Sequence, residues 1–372
     1  MSATPPTIRF IMLGGFLGAG KTTAIGRLAW HYQSQGLKVG IVTNDQATDL
    51  VDTQSLRAQG FEVGEVPGAC FCCNFNALTK TVADLSADER PDVILAEPVG
   101  SCTDLVATVI RPLQQLFAAH FDVAPYGVLL KPSHGGRILR NDARAGFSPQ
   151  AAYIFRKQLE EADFIVINRV DQLPPAEVEE LTRLLNSAYP GTPVLRTSAQ
   201  SGEGFPALVE LVDQKGRFGQ RKMELDYDVY AAGEAELGWL NSSLKISSNE
   251  LIDLDRLLME IVTTLEASFR ELNVETAHLK TIGLADGVYA VANLVSSFSA
   301  PELSLPSKAK VREAQVIVNA RVATLPAVLT EQVAAALEKV FLQHRATLHV
   351  QQTQSFQPGR PVPTHRLEPS PQ

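Results

Sequence analysis

Cys70, Cys72 and Cys73 stand together in the stretch GACFCCNF, so three of the chain's four cysteines share one short segment. Thiols this close serve as a metal site, as a redox group or as small buried apolar side chains. In an extended segment residues two apart point the same way, so Cys70 and Cys72 converge, and a turn into a helix starting near Asn74 brings Cys73 round. The helix start favours ionised thiols, which metal binding requires. Three thiolates suit Zn²⁺, which takes four ligands, and they leave one position for water or a receiving protein. An incomplete shell reads as a transfer site. A redox role needs adjacent thiols to oxidise, although C-x-C-C differs from the usual C-x-x-C couple. Cys102, in VGSCTDL, is either a fourth ligand for a fixed zinc or the filler of a helix start. The spacing of His344 and His349 suits neither one helical face nor one strand face, and both are expected to be solvated.

A second constellation lies upstream. GGFLGAGKTT places Gly15, Gly20, Lys21 and Thr22 in the spacing G-x-x-x-x-G-K-T, after an apolar run and at the start of a helical pattern. That context defines a phosphate loop, in which backbone N–H groups from Gly15, Gly18, Ala19 and Gly20 through Thr23 curve round phosphate oxygens. Lys21 is expected on the β- and γ-phosphates and the Thr22 hydroxyl in a Mg²⁺ shell. Asp45 in VTNDQATDLVD and Glu97 in VILAEPVG end apolar runs, where a carboxylate holds Mg²⁺ or orients an attacking water. The Gly100 N–H is placed to sense a γ-phosphate. Asp49 and Asp52 are either switch-segment residues or helix caps. INRVDQL supplies Asn168, Arg169 and Asp171 in a pattern resembling the N-K-x-D segment by which GTPases read guanine, with arginine in place of lysine. A carboxylate at Asp171 accepts from the guanine N1–H and N2–H₂, a donor pair adenine lacks. Asn168 braces the loop, the Arg169 guanidinium stacks over the base, and the backbone of Ser198 and Ala199 donates to guanine O6.

These residues need a scaffold that gathers strand ends. The 372 residues are 45% hydrophobic, enough for about two domains. A net charge of -8 with dispersed Lys and Arg excludes a nucleic-acid footprint. No run approaches the roughly 18 apolar residues of a membrane span, and no cleavage pattern follows the apolar start, which reads as a cytoplasmic chain. Four cysteines form no disulfide framework at this length. The runs TIRFIMLGG, KVGIVTND, FEVGEVP, DVILAEPV, YGVLLK, DFIVINRV and PVLRTSA alternate with helical patterns. Such alternation predicts an α/β fold, a mostly parallel sheet covered on both faces, with ligands at the carboxyl ends of its strands. This P-loop domain is expected over 1–220, and a smaller α+β domain with an antiparallel sheet over 221–350. SFSAPELSLPSKAKV reads as a long loop and 351–372 as a disordered tail rich in proline and polar residues.

In order along the chain, GGFLGAGKTT, TNDQATDLVD, GACFCC, EPVG and NRVD resemble the metallochaperone family of P-loop GTPases, which includes the CobW-type proteins and the urease and hydrogenase nickel-insertion GTPases. The likeness covers roughly the first 215 residues. C-x-C-C marks the CobW-type branch, while VTNDQATDLVD is nearer the urease accessory branch. The resemblance implies GTP/GDP and Mg²⁺ as cofactors and nucleotide-dependent binding of zinc or cobalt (Zn²⁺ or Co²⁺) by Cys70, Cys72 and Cys73. It further implies slow GTP hydrolysis, transfer of the ion or a metallocofactor to a client metalloprotein or cofactor enzyme, and a nucleotide-dependent homodimer. The second domain would recognise the client. Two rival readings are a P-loop kinase for a small molecule and a GTP-binding regulator with a structural zinc.

Overall fold

The computed structural model describes residues 7–46, 50–86, 90–142 and 147–369. Asp49 lies outside them. Contacts divide the chain into two units, one made of residues 1–46, 60–230 and 360–372 and the other of 47–59 and 231–359. Among the described residues no helix is long and apolar enough to cross a membrane.

The central strands of the first unit are short and wholly buried, as continuous Val/Ile/Leu runs require when helices cover both faces of a sheet. Its elements begin with β1 (Ile8–Gly15), α1 (Lys21–Ser34) and β2 (Val39–Asn44). The chain then forms α2 (Val51–Ala58), which belongs to the second unit, before returning with β3 (Glu62–Val66), α3 (Phe75–Leu85) and β4 (Val93–Glu97). A π-helical turn at Val106–Ile110 leads into α4 (Arg111–Leu116), β5 (Phe121–Val123), β6 (Gly127–Leu130), α5 (Pro132–Leu139), α6 (Pro149–Glu161), β7 (Phe164–Ile167), α7 (Pro175–Ala188), β8 (Val194–Arg196) and α8 (Phe205–Val212). The strands run in the order β3-β2-β4-β1-β6-β7-β8, all pairs parallel. The short β5, which no sequence pattern foretold, pairs with the first half of β1 while β6 takes the second half. Because every strand points the same way, β1, β2, β4 and β7 deliver the phosphate loop, Asp45, Glu97 and Asn168 to one edge of the sheet.

The second unit follows α9 (Tyr227–Ala235), within which the division falls. Its elements are β9 (Gly238–Asp253), α10 (Leu254–Glu271), β10 (Thr276–Ala285), β11 (Val288–Leu294), β12 (Glu302–Leu305), β13 (Lys310–Val322), α11 (Pro326–Gln343) and β14 (Thr347–Phe356). They form an antiparallel sheet in the order β12-β11-β10-β13-β9-β14. One face packs against α10 and α11 through a core that includes Leu258, Ile261, Leu265, Leu279, Val316, Val318, Leu337 and Phe341. On other strand positions Ile282, Val291 and Ile317 bury Val51 of α2. The Val51 N–H donates to the Asn319 side-chain oxygen at 2.8 Å, and Lys280 pairs with Asp52. Asp52 therefore sits in the first turn of α2 and is held by a lysine of the second sheet.

Two expectations are corrected here. Residues 351–356 are not a disordered tail but part of β14, whose backbone pairs with β9 from Thr347 to Phe356. The polar side chains of VQQTQS hid the strand, because ladder bonds rather than burial hold this edge. The expected loop SFSAPELSLPSKAKV contains β12 and the start of β13. Removing the Asn319 amide strips the first turn of α2 of a buried partner. Asn319→Ala should lower stability by about 1 kcal/mol and speed amide exchange across 51–58, measured by hydrogen–deuterium exchange.

Candidate nucleotide and metal site

Beyond β1 the chain turns through Gly15, Gly18 and Gly20, all at positive φ (133°, 74° and 92°). A Cβ on Gly20 would stand 2.3 Å from the Asn168 side-chain nitrogen, because Asn168 reaches across the loop. Its Nδ2 donates to the Ala19 carbonyl at 2.8 Å, and its Oδ1 accepts the Ala199 N–H at 2.9 Å. One amide thus joins the phosphate loop, the end of β7 and the loop after β8. Lys21 opens α1 with its Nζ buried, donating to the Gly15 carbonyl at 3.0 Å and lying 4.0 Å from Glu97 Oε1. The Thr22 hydroxyl donates to the same carboxylate oxygen at 3.1 Å, and Thr23 is exposed one residue on. Glu97 is buried, so it is no solvated strand end. An ammonium, a hydroxyl and a carboxylate at the positive end of a helix fit a phosphate chain with Mg²⁺. Asp45 is half-buried directly after β2.

The segment after Glu97 lies against this loop. A Cβ on Gly100 would come 2.9 Å from the Leu17 backbone nitrogen, which leaves room for glycine alone. Gln158 of α6, buried itself, donates from Nε2 to the Gly100 carbonyl at 2.9 Å and to the Cys102 carbonyl at 2.8 Å. After β7, Arg169 adopts a left-handed conformation (φ 64°) with its guanidinium 3.3 Å from Gln172 Oε1. Asp171 is exposed on the single 3₁₀ turn that follows. The Ser198 N–H bonds to the Glu203 carbonyl at 2.9 Å and the Ala199 N–H to Asn168. Both backbone donors expected on guanine O6 are thus engaged within the loop.

The cysteine cluster forms between β3 and α3. Here the extended geometry expected of GACFCC is corrected. Cys73 and Asn74 both donate their N–H to the Cys70 carbonyl at 2.9 Å, so a tight turn gathers the thiols. The sulfurs lie 3.3 Å (Cys70 to Cys72), 3.6 Å (Cys70 to Cys73) and 3.6 Å (Cys72 to Cys73) apart, within reach of one ion. All four cysteines are free thiols. The Cys102 thiol hydrogen-bonds to both Cys70 and Cys72. Those bonds from Cys102, and from Cys72 and Cys73, hold Cys70 well below the usual thiol range. Cys72 is pushed well above it by its bonds to Cys102 and Cys70, and Cys73 is raised to about 11, first by its bond to Cys70. Three sulfurs gathered this closely, two of them buried, suit a thiophilic cation. Elsewhere His344 pairs with Glu260 at 2.6 Å and His349 is exposed. Among the described residues no other group of three or more Cys, His, Asp or Glu has metal-binding spacing.

Two residues that sequence patterns did not single out do much of the positioning. Asn44, the last residue of β2, donates from Nδ2 to the Val66 and Ala69 carbonyls, both at 2.8 Å, and accepts the Phe71 N–H at 2.8 Å. Its amide fixes the cysteine turn against the end of β2, which Asp45 follows. Its signal was an asparagine closing an apolar strand one residue before a candidate ligand. Gln158 was legible only as a polar residue among the apolar positions of QAAYIFRKQLEEA, a helix whose buried face also carries Glu161.

A parallel sheet whose first strand passes through such a loop into a helix opening with Lys-Thr, faced by a carboxylate from a neighbouring strand end, defines a P-loop nucleotide-binding protein. Residues 9–196, about half of the chain, match the family described as "CobW/HypB/UreG, nucleotide-binding domain", and the chain belongs to that family. It is 27% identical over 226 residues to the urease accessory protein UreG 2 of Bradyrhizobium sp. strain BTAi1, a match covering 58% of this chain and 94% of the relative. It is 30% identical over 176 residues to the zinc chaperone YeiR of Escherichia coli K12, covering 46% of this chain and 49% of the relative. With the zinc chaperone YjiA of the same organism the identity is 26% over 219 residues, covering 57% and 66%.

Asn44→Ala leaves the buried Phe71 N–H and two carbonyls without partners, a loss of about 1–3 kcal/mol. Zinc affinity, read by competition with a chromophoric chelator, should fall about tenfold or more, while nucleotide binding measured by fluorescent GDP stays near wild type.

Proposed function

We propose that this chain hydrolyses GTP, slowly, to control the binding and delivery of a metal ion, zinc or cobalt, held by Cys70, Cys72 and Cys73. The observation that carries this reading is the triangle of sulfurs 3.3–3.6 Å apart, tied through Asn44 to the strand end that bears Asp45. Cys102 adds a second connection. It hydrogen-bonds to Cys70 and Cys72, and its segment begins at Glu97 and Gly100 beside the phosphate loop. Two relatives bear the name zinc chaperone.

In this reading the N–H groups from Gly15 to Thr23 and the Lys21 ammonium hold the triphosphate, and Thr22 and Glu97 hold Mg²⁺, with Asp45 joining them directly or through water. Mg²⁺ supplies charge neutralisation at the β- and γ-oxygens when bound. Asp45 or Glu97 orients the attacking water. Asp171 reads the N1–H and N2–H₂ of guanine from the rim, with Arg169 stacked over the base and Asn168 bracing the loop. Ser198 and Ala199 shape the wall beneath it. A γ-phosphate contact at Gly100 shifts the segment that ends at Cys102, and loss of that contact after hydrolysis reverses the shift. Metal affinity then follows nucleotide state, because only a ligand with different affinity for two conformations moves their balance. The second unit recognises the client, the reduced thiols suit the cytoplasm, and the nucleotide face offers a dimer contact.

Cys102 also favours a second reading, a regulator with a structural zinc closed by a fourth sulfur. The two separate in one measurement. Zn²⁺ and Co²⁺ affinity and exchange are followed with GDP and with a non-hydrolysable GTP analogue, in the wild type and with Cys70, Cys72 and Cys73 changed to serine. Delivery predicts an affinity that differs between nucleotides by about tenfold or more, as expected for a coupling of 1–3 kcal/mol, and vanishes in the triple variant. Slow exchange in every nucleotide state supports the structural zinc instead. Base reading has its own test. Asp171→Asn replaces an acceptor by a donor, so affinity should drop for GTP and rise for xanthosine triphosphate, in fluorescence titrations.

A further inference from the structure

The C-terminal residues of the first unit, Arg360 to Pro369, lie along the cysteine turn. The Val362 N–H donates to the Cys73 sulfur at 3.2 Å. Thr364 donates its N–H to the Cys72 carbonyl at 2.8 Å and its hydroxyl to the Cys73 carbonyl at 3.1 Å. The His365 ring stands edge-on to Phe75, the first residue of α3, at 5.1 Å between centroids. Further on, Arg366 pairs at 2.8 Å with Asp104, a carboxylate that is 2% exposed and also accepts the Tyr227 hydroxyl at 2.8 Å. The Leu367 N–H donates to the Ala107 carbonyl at 2.8 Å, and Arg111 donates to the Leu367 carbonyl at 2.9 Å.

Two features set this segment apart from an ordinary chain end. At Val362 the contact is made by the backbone alone: the side chain is 69% exposed, yet the N–H points at a sulfur of the cluster. It also joins both sides of the cluster, bonding Cys72 and Cys73 at one end and, at the other, Asp104, two residues beyond Cys102. Pro361 and Pro363 flank Val362, and prolines restrict the backbone to the extended conformation that presents a single N–H. An N–H aimed at a thiolate stabilises its charge and lowers its electron donation.

We infer that Arg360–Leu367 is a strap belonging to the metal site, whose Val362 N–H positions and tunes the Cys73 sulfur and whose undocking from Asp104 opens the route by which the ion leaves. The inference deepens the proposed metal delivery and rests on Cys70, Cys72 and Cys73 binding a metal. Val362 and Arg366 act through the ligand rather than on the ion. The strap's anchor lies on the segment that starts at the γ-phosphate sensor, so a shift there reaches the strap without passing through the cysteines.

The test uses the full chain loaded with Zn²⁺ or Co²⁺ alone. Val362→Pro removes the N–H and keeps the extended backbone, Val362→Ala keeps the N–H, and Arg366→Ala removes the anchor. Zinc release to a chelator in excess should quicken about tenfold in Val362→Pro and in Arg366→Ala, the size expected for one hydrogen bond to a charged sulfur, and stay unchanged in Val362→Ala. In the cobalt form of Val362→Pro the thiolate-to-cobalt charge-transfer band should move to longer wavelength, a shift that general loosening of the fold does not produce. If the wild type binds metal and Val362→Pro matches it in release and spectrum, the strap is overturned while the delivery reading stands. A wild type that binds neither ion removes the delivery reading and the strap with it. Should Arg366→Ala fold poorly, Val362→Pro still decides, because Val362 buries little.

Discussion

The amide of Asn44 is the interaction on which the arrangement hangs. A buried amide that makes three hydrogen bonds fixes both its own rotamer and the path of the chain that supplies its partners, since losing any one leaves a polar group buried and unsatisfied. Here the partners are Val66, Ala69 and Phe71, which bracket the first cysteine, and the next residue in the chain is Asp45. Asn168 works in the same way at the other end of the site, joining Ala19 to Ala199. Two asparagines at the carboxyl ends of β2 and β7 thus convert a row of strand ends into a single connected surface, with Gln158 adding a third clamp on Gly100 and Cys102.

The cysteine cluster draws its character from crowding. Sulfurs closer than 4 Å cannot all carry charge without a cation between them, so the thiols share their protons in a hydrogen-bonded group, with Cys72 donating to Cys70 and Cys70 to Cys73. A divalent ion entering the triangle replaces those protons and relieves the repulsion that would otherwise keep the remaining thiols neutral. The same crowding explains why Cys102 stands close by: its sulfur joins the hydrogen-bonded group without lying in the turn that builds the triangle.

Legibility varied with what holds each element. The seven apolar runs read as strands all appear in the parallel sheet, and β1, β2, β4, β6 and β7 are buried along their whole length, since a strand covered on both faces must be apolar throughout. β5, with three residues paired to half of β1, carries too little pattern to be seen. β9 spreads Asn241, Ser242, Ser243 and Lys245 along a 16-residue strand whose register is set by β13 and β14 on either side, and β14 itself is mostly exposed and polar. β9 is buried along its first half despite these polar residues, whereas β14 is kept in place by ladder bonds rather than by burial, and both leave little trace in composition. In the site, Lys21, Thr22, Glu97 and the cysteines were legible from motif spacing. Asn44, Gln158 and Asp104 were not, because a polar residue with buried partners looks in sequence like any polar residue at the end of an apolar run.

By itself the sequence determined the phosphate loop, the cluster of thiols and the parallel sheet that carries them, since each follows from local constraints: glycine where φ is positive, alternation of strand and helix, and cysteines too close in the chain to part. Only the tertiary structure decided that α2, which lies in sequence between two strands of one unit, is buried against the sheet of the other, and that Val362 and Thr364 lie on the cysteine turn. Those outcomes depend on partners more than 200 residues away, Asn319 for Val51 and Val362 for Cys73. Such contacts form because a folded chain must satisfy every buried polar group from whatever lies nearest in space, a condition that no local stretch of sequence encodes.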